Sequence, residues 1–222
     1  KTICQDSCTN LSSSAAFGSG SYTFSWTSIP PGFTSSAQDT VTCPDTTTTY
    51  IVTVDDGDTT ATDSVTVVVQ SPPIVDLGAD TTICAGDSII LYAGNPSSTY
   101  NWSTGVTTQA IIADSTATYW VDVTNVFGCT TRDSIIVTIN PLPIVDAGVD
   151  VSICNDGSTV TLGGSPTASG TSPFTYNWSP VVNLNNPAAA NPVFTPPGVG
   201  ITQFEVTVTD GNGCIDTDTV IV

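Results

Sequence analysis

The sequence of 222 residues predicts an all-β fold made of three tandem two-sheet sandwiches. Three observations support this prediction: a set of landmarks occurs three times, short alternating runs are separated by Gly, Pro, Asn and Asp, and no stretch shows the apolar period of a helix. Short strands divided by turn residues roughly every ten positions are typical of a sandwich rather than of alternating strands and helices. The charged fraction of only 10% agrees, since surface helices need more Glu and Lys.

The internal repeat is clearest in the motif Pro-Ile-Val-Asp-x-Gly-x-Asp, which occupies 73–80 and 143–150. An Ile-Cys pair follows each copy, and the same pair opens the chain at Ile3-Cys4. We therefore predict three domains, called here the first repeat (1–71, incomplete at its N-terminus), the second repeat (72–140) and the third repeat (141–222). Prolines at both boundaries restrict the backbone, so we expect short junctions and an extended rod.

Each repeat contains the same series of strand signals. An aromatic-x-Trp triplet marks a central strand, an alternating run marks the next, and an acidic-hydroxyl-apolar start marks the last. The triplets end at Trp26, Trp102 and Trp178, and the alternating runs occupy 50–54, 119–123 and 204–208. Aromatic residues at a fixed place in each repeat fit a core better than a carbohydrate-stacking surface, so an immunoglobulin-like sandwich is predicted.

The cysteines predict disulfides and an oxidising compartment, because the sequence has seven Cys and no His for a mixed zinc site. In the second repeat Cys84 precedes the second strand and Cys129 follows the alternating run. Cys154 and Cys214 hold the same places in the third repeat. Bonds Cys84–Cys129 and Cys154–Cys214 are therefore predicted, each stabilising one domain by about 4 kcal/mol on the loop-entropy model.

The first repeat departs from this pattern, since Asp55 to Thr59 contains no cysteine at the corresponding turn. We pair the two additional cysteines as Cys8–Cys43, with Cys4–Cys43 as the alternative. Cys4 is then unpaired. It is expected to be free, to bond another chain, or to bond a partner upstream.

Charge and residue inventory exclude several functions. The net charge of -18 opposes binding to nucleic acid or to anionic membranes. No apolar run approaches the roughly 20 residues that span a bilayer, so this segment is not expected to insert in a membrane. Without His there is no nucleophile–histidine relay, and Glu205 is the only Glu. No enzyme is predicted.

Aspartate clusters are the candidate metal ligands. One cluster lies in the turn of the first repeat, and two pairs lie where one domain meets the next. Carboxylate oxygens there suit Ca²⁺, which would stiffen the junctions, although the same residues are common turn formers. The candidates are Asp55, Asp56, Asp58, Asp76, Asp80, Asp146 and Asp150.

Several segments resemble the PKD-like and immunoglobulin-like repeats of large Bacteroidota surface proteins, including gliding-motility adhesins exported by the type IX system. The resemblance rests on Ile83 to Asp87, Tyr100 to Trp102, Thr46 to Tyr50 and Val208 to Cys214, and it covers all three repeats. It implies a secreted, extracellular cell-surface protein. The Phe-Gly-Asp-Gly turn of standard PKD repeats is missing after each Trp, which leaves the strand count open.

Asp-Ser/Thr-apolar triplets also resemble the O-glycan acceptor pattern of secreted Bacteroidota proteins, although a turn Asp entering a strand produces the same triplet. The acceptors implied, as in a glycoprotein, are Thr40, Ser64, Ser88, Ser134 and Thr219.

Two functions follow. The chain is either a stalk within a long cell-surface adhesin, whose partners are neighbouring repeats, or part of an extracellular filament assembled from several copies. In the filament, a neighbouring chain would donate the strand that the first repeat lacks.

Overall fold

A computed structural model describes residues 1–18 and 20–222. Within these residues the regular structure consists of twenty β-strands, and no helix is present. The described part of the chain therefore contains no helix that is long and apolar enough to cross a bilayer. The predicted all-β class is confirmed.

The first repeat forms a five-stranded and a two-stranded sheet. The larger sheet has the order β1-β7-β6-β3-β4, and β2 pairs with β5 in the smaller one. The strands are β1 (Thr2–Cys4), β2 (Thr9–Leu11), β3 (Thr23–Ile29), β4 (Thr34–Ser35), β5 (Thr40–Thr42), β6 (Thr48–Asp55) and β7 (Thr60–Gln70).

The second repeat forms a four-stranded sheet of order β10-β12-β13-β8 and a two-stranded sheet of β9 and β11. Its strands are β8 (Thr81–Cys84), β9 (Ile89–Tyr92), β10 (Thr99–Trp102), β11 (Ala110–Ala113), β12 (Ala117–Thr124) and β13 (Thr130–Asn140).

The third repeat forms three small sheets, with orders β17-β19-β20, β15-β18 and β14-β16. Its strands are β14 (Ile144–Val145), β15 (Val160–Thr161), β16 (Ala168–Ser169), β17 (Thr175–Ser179), β18 (Val193–Phe194), β19 (Gln203–Thr209) and β20 (Ile215–Ile221).

The same immunoglobulin-like topology occurs three times. In each repeat the strand carrying the Trp lies beside the alternating strand, which in turn lies beside the last strand, as in the C-F-G sheet of immunoglobulin domains. The second strand and the strand before the alternating one pair separately, as B and E do. The chain is therefore an all-β protein of tandem immunoglobulin-like repeats.

Among the residues that the structure describes, no sheet takes strands from more than one repeat. The domain boundaries themselves stay a prediction. By compactness the chain divides into two units. One contains residues 1–79, 90–111 and 118–135, and the other contains residues 80–89, 112–117 and 136–222.

The core of the first repeat surrounds Trp26, which is 2% exposed. Leu11 of β2, Val52 of β6 and Val67 of β7 are buried around it. Tyr50 meets Phe33 edge to face at 5.1 Å between ring centroids. Alternation therefore buries one face of each strand, as its period of two requires.

The third repeat is built in the same way around Trp178, with Leu162, Phe204 and Val206 in its core. In all three repeats the indole N–H donates to a backbone carbonyl, so the Trp polar group is satisfied where its ring is buried. The interpretation of the three triplet Trp residues as core, rather than as a carbohydrate platform, is confirmed because Trp26, Trp102 and Trp178 are each 2% exposed or less.

Candidate functional sites: disulfide junctions and acidic turns

Two disulfides join successive repeats. Cys4 of the first repeat bonds Cys129 of the second, and Cys84 of the second bonds Cys214 of the third. The Cα atoms are 5.5 Å apart in both bonds. We call the surroundings of these bonds the first and second junction.

The predicted bonds Cys84–Cys129 and Cys154–Cys214 are wrong. In the third repeat Cys214 directly precedes β20, whereas the N–H of Val151 donates to the carbonyl of Ile221 at the other end of that strand. A strand of 7 residues is about 20 Å long, and a disulfide needs Cα atoms within roughly 7 Å. Cys154 and Cys214 therefore lie too far apart to bond each other.

The second repeat follows the same rule, because Cys129 directly precedes β13 while Cys84 is paired with Asn140, the last residue of that strand. Cys4, expected to be unpaired, is bonded downstream instead. Among the described residues the free cysteine is Cys154, and it is exposed.

The third disulfide, Cys8–Cys43, is present as predicted. Antiparallel pairing of β2 with β5 places Thr9 opposite Thr42, so the adjoining cysteines continue the same register. This bond fastens the small sheet of the first repeat.

In each junction disulfide, the cysteine from the later repeat, Cys129 or Cys214, is the last residue of a five-residue hairpin loop. In the second repeat the Asn125 Oδ1 accepts hydrogen bonds from the N–H groups of Phe127 (3.0 Å) and Cys129 (3.1 Å). In the third, Asp210 Oδ1 accepts from Asn212 and Cys214, both at 2.9 Å. The side chain at the loop start thus positions the cysteine at its end.

The two loops differ in the other terminal atom of that side chain, which is Nδ2 in Asn125 and Oδ2 in Asp210. At the first junction Asn125 Nδ2 donates to the carbonyl of Ser71 at 3.1 Å, where the chain leaves the first repeat. At the second junction Asp210 is 6% exposed and its Oδ2 is buried without a hydrogen-bond partner among the described residues. A carboxylate oxygen cannot donate, so it cannot make the bond that the amide makes.

Strand pairing positions the N-terminal cysteine of each junction disulfide, Cys4 or Cys84. β1 runs parallel to β7, with Cys4 opposite Gln70, and β8 runs parallel to β13, with Cys84 opposite Asn140. The Ile-Cys strand therefore ends where the last strand of its own repeat ends. The loop cysteine of the next repeat reaches this place, and Cys129 Sγ lies 3.9 Å from the Gln70 carbonyl oxygen.

The aspartates of the Pro-Ile-Val-Asp-x-Gly-x-Asp motif, proposed as calcium ligands, accept backbone hydrogen bonds. Asp76 Oδ1 accepts from Gly78 and Asp146 Oδ1 from Gly148, both at 2.9 Å. The glycines have φ of 86° and 93°, a region that favours Gly. These carboxylates thus stabilise the turn.

The second aspartate of the motif ties this segment to the last strand of its repeat. Asp80 Oδ1 accepts from the N–H of Ile136, and Asp150 Oδ1 accepts from the N–H of Ile221, both at 2.8 Å. The recurrence of Asp at these positions therefore has a structural explanation.

The turn of the first repeat uses its aspartates similarly. Asp55 Oδ1 accepts from Gly57, and Asp56 Oδ1 accepts from the N–H groups of Asp58 and Thr59. Within residues 1–18 and 20–222, no group of three or more His, Cys, Asp or Glu side chains is placed to hold a metal ion. Calcium binding stays an untested hypothesis, and the backbone hydrogen bonds of these aspartates favour the alternative, turn formation.

The candidate glycosylation residues lie on strands or directly before one. Ser64, Ser88, Ser134 and Thr219 are exposed, and Thr40 is half-buried. Two of the preceding aspartates anchor the start of their repeat: Asp133 Oδ2 accepts from Leu77 (2.7 Å) and Asp218 Oδ2 from Ala147 (2.9 Å). In these two triplets the aspartate therefore has a structural role, and glycosylation stays a prediction for all five.

Arg132 forms a contact that the sequence reasoning missed. Its guanidinium donates to both carboxylate oxygens of Asp122, at 2.7 and 2.6 Å, and lies 3.9 Å from the centroid of the Trp120 ring. The hydrogen bond from Arg132 holds the pKa of Asp122 below its ordinary value. Its signal in the sequence was the single Arg, next to the acidic start of the last strand.

Comparisons with known proteins found similar solved structures, all at low sequence identity. No family model matches the sequence. No curated protein matches it either. Solved structures similar to it include an I-band fragment of titin, at 10% identity and a TM-score of 0.46, with 99% of this chain and 93% of that chain covered.

Two others are extracellular domains 3–5 of Drosophila OTK (10% identity, TM-score 0.35, 100% and 92% covered) and Bacteroides ovatus SGBP-B in complex with a mixed-linkage heptasaccharide (14%, 0.28, 99% and 64%).

Proposed function

We propose that this chain is a stalk segment of a long extracellular cell-surface adhesin, of the type that carries PKD-like repeats in gliding Bacteroidota. In this proposal the segment connects other parts of the adhesin and transmits mechanical load between them. The adhesive contact is made by another part of the molecule. Three disulfides support a place outside the cytoplasm, where such bonds persist.

The observation that carries the proposal is the pair of disulfides between successive repeats. A bond inside one sandwich would stabilise that domain alone. The bonds found here close segments of 125 and 130 residues and bridge consecutive repeats. Load applied along the chain can therefore pass from one repeat to the next through covalent bonds, even when a sandwich opens.

Pulling the molecule by its two ends tests this role. With the disulfides intact, the shortest covalent path through Cys4–Cys129 and Cys84–Cys214 limits the extension to about 190 Å. The fully reduced chain of 222 residues reaches about 750 Å. We expect single-molecule force measurements on the oxidised chain to stop at the shorter length and to recover on relaxation.

The control for the pulling experiment is a chain with Cys8→Ser and Cys43→Ser, which should keep the short limit because this bond lies off the shortest path. Extension of the oxidised chain to the reduced length would contradict the load-bearing role. Specific binding of the chain to a cell surface or glycan would contradict the passive role.

A second candidate, a filament with strand donation, is favoured by one feature of the first repeat. In the other repeats Asp133 and Asp218 hold the backbone of the opening segment, at Leu77 and Ala147. The corresponding Asp63 accepts from its own neighbour Ser64. A groove runs beside it, lined by residues that include Tyr22, Val54, Asp63 and Val65. A donated strand would fit there as an added edge strand.

The filament candidate is tested with the peptide Pro-Ile-Val-Asp-Leu-Gly-Ala-Asp, the sequence of residues 73–80. Strand donation predicts that the peptide binds the chain and raises its Tm, and that Asp63→Asn weakens the binding. The matched control is Asp58→Asn, which removes the same charge from an exposed turn. A chain that stays monomeric at high concentration and ignores the peptide would exclude this candidate.

A further inference from the structure

The free cysteine of the third repeat is equivalent to two cysteines that are bonded. Ile-Cys pairs occur at Cys4, Cys84 and Cys154, and the first two bond the loop cysteine of the next repeat. Cys154 is exposed and free. The two bonded copies are an independent indication of what this position binds.

The backbone around Cys154 starts on the same course as around Cys84. Asp150 holds the N–H of Ile221 as Asp80 holds that of Ile136, at 2.8 Å in both cases. The N–H of Val151 then donates to the Ile221 carbonyl at 2.9 Å, joining this segment to the end of β20. Cys154 therefore lies at the end of its repeat where the other two repeats carry a junction.

The surface beside Cys154 is unusually apolar for an exposed site. The groove around it is lined in part by Ile153, Pro197, Val199 and Ile201. Val199 and Ile201 are 92% and 85% exposed. Large aliphatic side chains grouped around an exposed thiol are typical of a surface that another domain covers.

We propose that Cys154 is one half of a third junction disulfide, whose other half is the loop cysteine of a further immunoglobulin-like domain. The partner is recognised by its chemistry: a hairpin loop that begins with Asn or Asp and ends with Gly-Cys, as in 125–129 and 210–214. This site goes beyond the proposed function, since it stands whether the segment is stalk or filament.

A second copy of this chain does not supply that loop. Cys129 and Cys214 are already used in the two junctions, and the turn of the first repeat, residues 55–59, contains no cysteine. The partner is therefore a different domain of the same design.

Formation of the bond is an ordinary thiol–disulfide exchange. The two thiols together lose two protons and two electrons as one S–S bond forms. A small disulfide such as oxidised glutathione accepts them, its own S–S bond breaks, and two glutathione thiols leave. An exposed thiol such as Cys154 is accessible to this reaction.

The test extends the intact chain with its own sequence. Ile136 and Ile221 hold equivalent places, so residues 138–222 are repeated directly after Val222, with Cys154→Ser in the added copy. We expect peptide mapping after refolding with oxidised and reduced glutathione to find the original Cys154 bonded to the added Cys214, and thiol alkylation at Cys154 to be lost.

The matched control carries Cys214→Ser in the added copy and should regain alkylation at Cys154. Recovery of the three original disulfides in the same map shows that the chain has folded. In a folded chain, alkylated Cys154 beside a free added Cys214, or a Cys154–Cys154 dimer, would overturn the proposal.

Discussion

Each of the two junctions consists of a disulfide and a hairpin loop, but the residue that starts the loop is Asn in the first and Asp in the second. Asn125 both positions Cys129 and donates to the carbonyl of Ser71. Asp210 positions Cys214 in the same way but leaves Oδ2 buried without a partner in the described structure. In both loops Oδ1 and backbone hydrogen bonds position the cysteine, whereas only at the first junction does the other terminal atom of the side chain bind the carbonyl of the preceding repeat.

Removing a junction disulfide should lower the free energy of unfolding more than any other change considered, and the loss should be larger at the second junction. Each closes more than 120 residues, worth about 4–5 kcal/mol on the loop-entropy model. We expect Cys84→Ser with Cys214→Ser to lower the free energy of unfolding by about that amount, measured with urea. Cys4→Ser with Cys129→Ser should cost less, because Asn125 still binds the carbonyl of Ser71. Equal losses would remove the distinction between the junctions.

Exchanging the loop residues tests the difference directly. Asp210→Asn keeps Oδ1 as the acceptor and replaces a buried, unpartnered carboxylate oxygen by part of a neutral amide, so it should stabilise the protein by about 1 kcal/mol. Asn125→Asp removes the bond to Ser71 and should destabilise it by about 1–3 kcal/mol. Thermal melts measure both, with Asp58→Asn as a charge control. A destabilised Asp210→Asn variant would contradict the cost assigned to the unpartnered Oδ2.

A smaller effect is expected from the ion pair that distinguishes the second repeat from the third. Because Arg132 lowers the pKa of Asp122 below its ordinary 3.8, the pair contributes stability above that pH. The contribution is lost as the pH falls through the lower pKa of the folded state. The free energy of unfolding, measured as a function of pH, should therefore fall less steeply below pH 3.8 in Asp122→Asn than in the parent chain. An unchanged titration would contradict the lowered pKa.

Chelation should have the smallest effect on both junctions. Asp80 and Asp150 already bind the N–H groups of Ile136 and Ile221, and Asp76 and Asp146 stabilise their turns. We expect EDTA to leave the Tm unchanged and Ca²⁺ to restore nothing. A Tm that falls with EDTA and recovers with Ca²⁺ would support the metal interpretation of these carboxylates.

The strands and core of this protein could be predicted from sequence because their signals are local. Alternation around Tyr50 and the Trp triplets depends only on which face of one strand is buried. Disulfide pairing could not be predicted in this way. Pairing each Ile-Cys with the loop of its own repeat leaves Cys4 unpaired, and pairing it with the next loop leaves Cys154 unpaired, so counting cannot decide.

The deciding information was the parallel alignment of the Ile-Cys strands β1 and β8 with the end of the last strand of their repeats, as when Cys84 lies opposite Asn140. Such a contact joins residues far apart in sequence and has no local pattern. The same holds for Asp210. Only the folded structure shows that its Oδ2 is buried without a hydrogen-bond partner among the described residues.

The two junction disulfides overlap along the sequence, since Cys84 lies inside the segment that Cys4–Cys129 closes. A protease that cuts one peptide bond anywhere from Cys4 to Cys214 therefore releases no fragment. The nicked molecule keeps its full mass until a reductant opens the bonds. A chain cross-linked in this way therefore tolerates single cuts by a peptidase without losing either half.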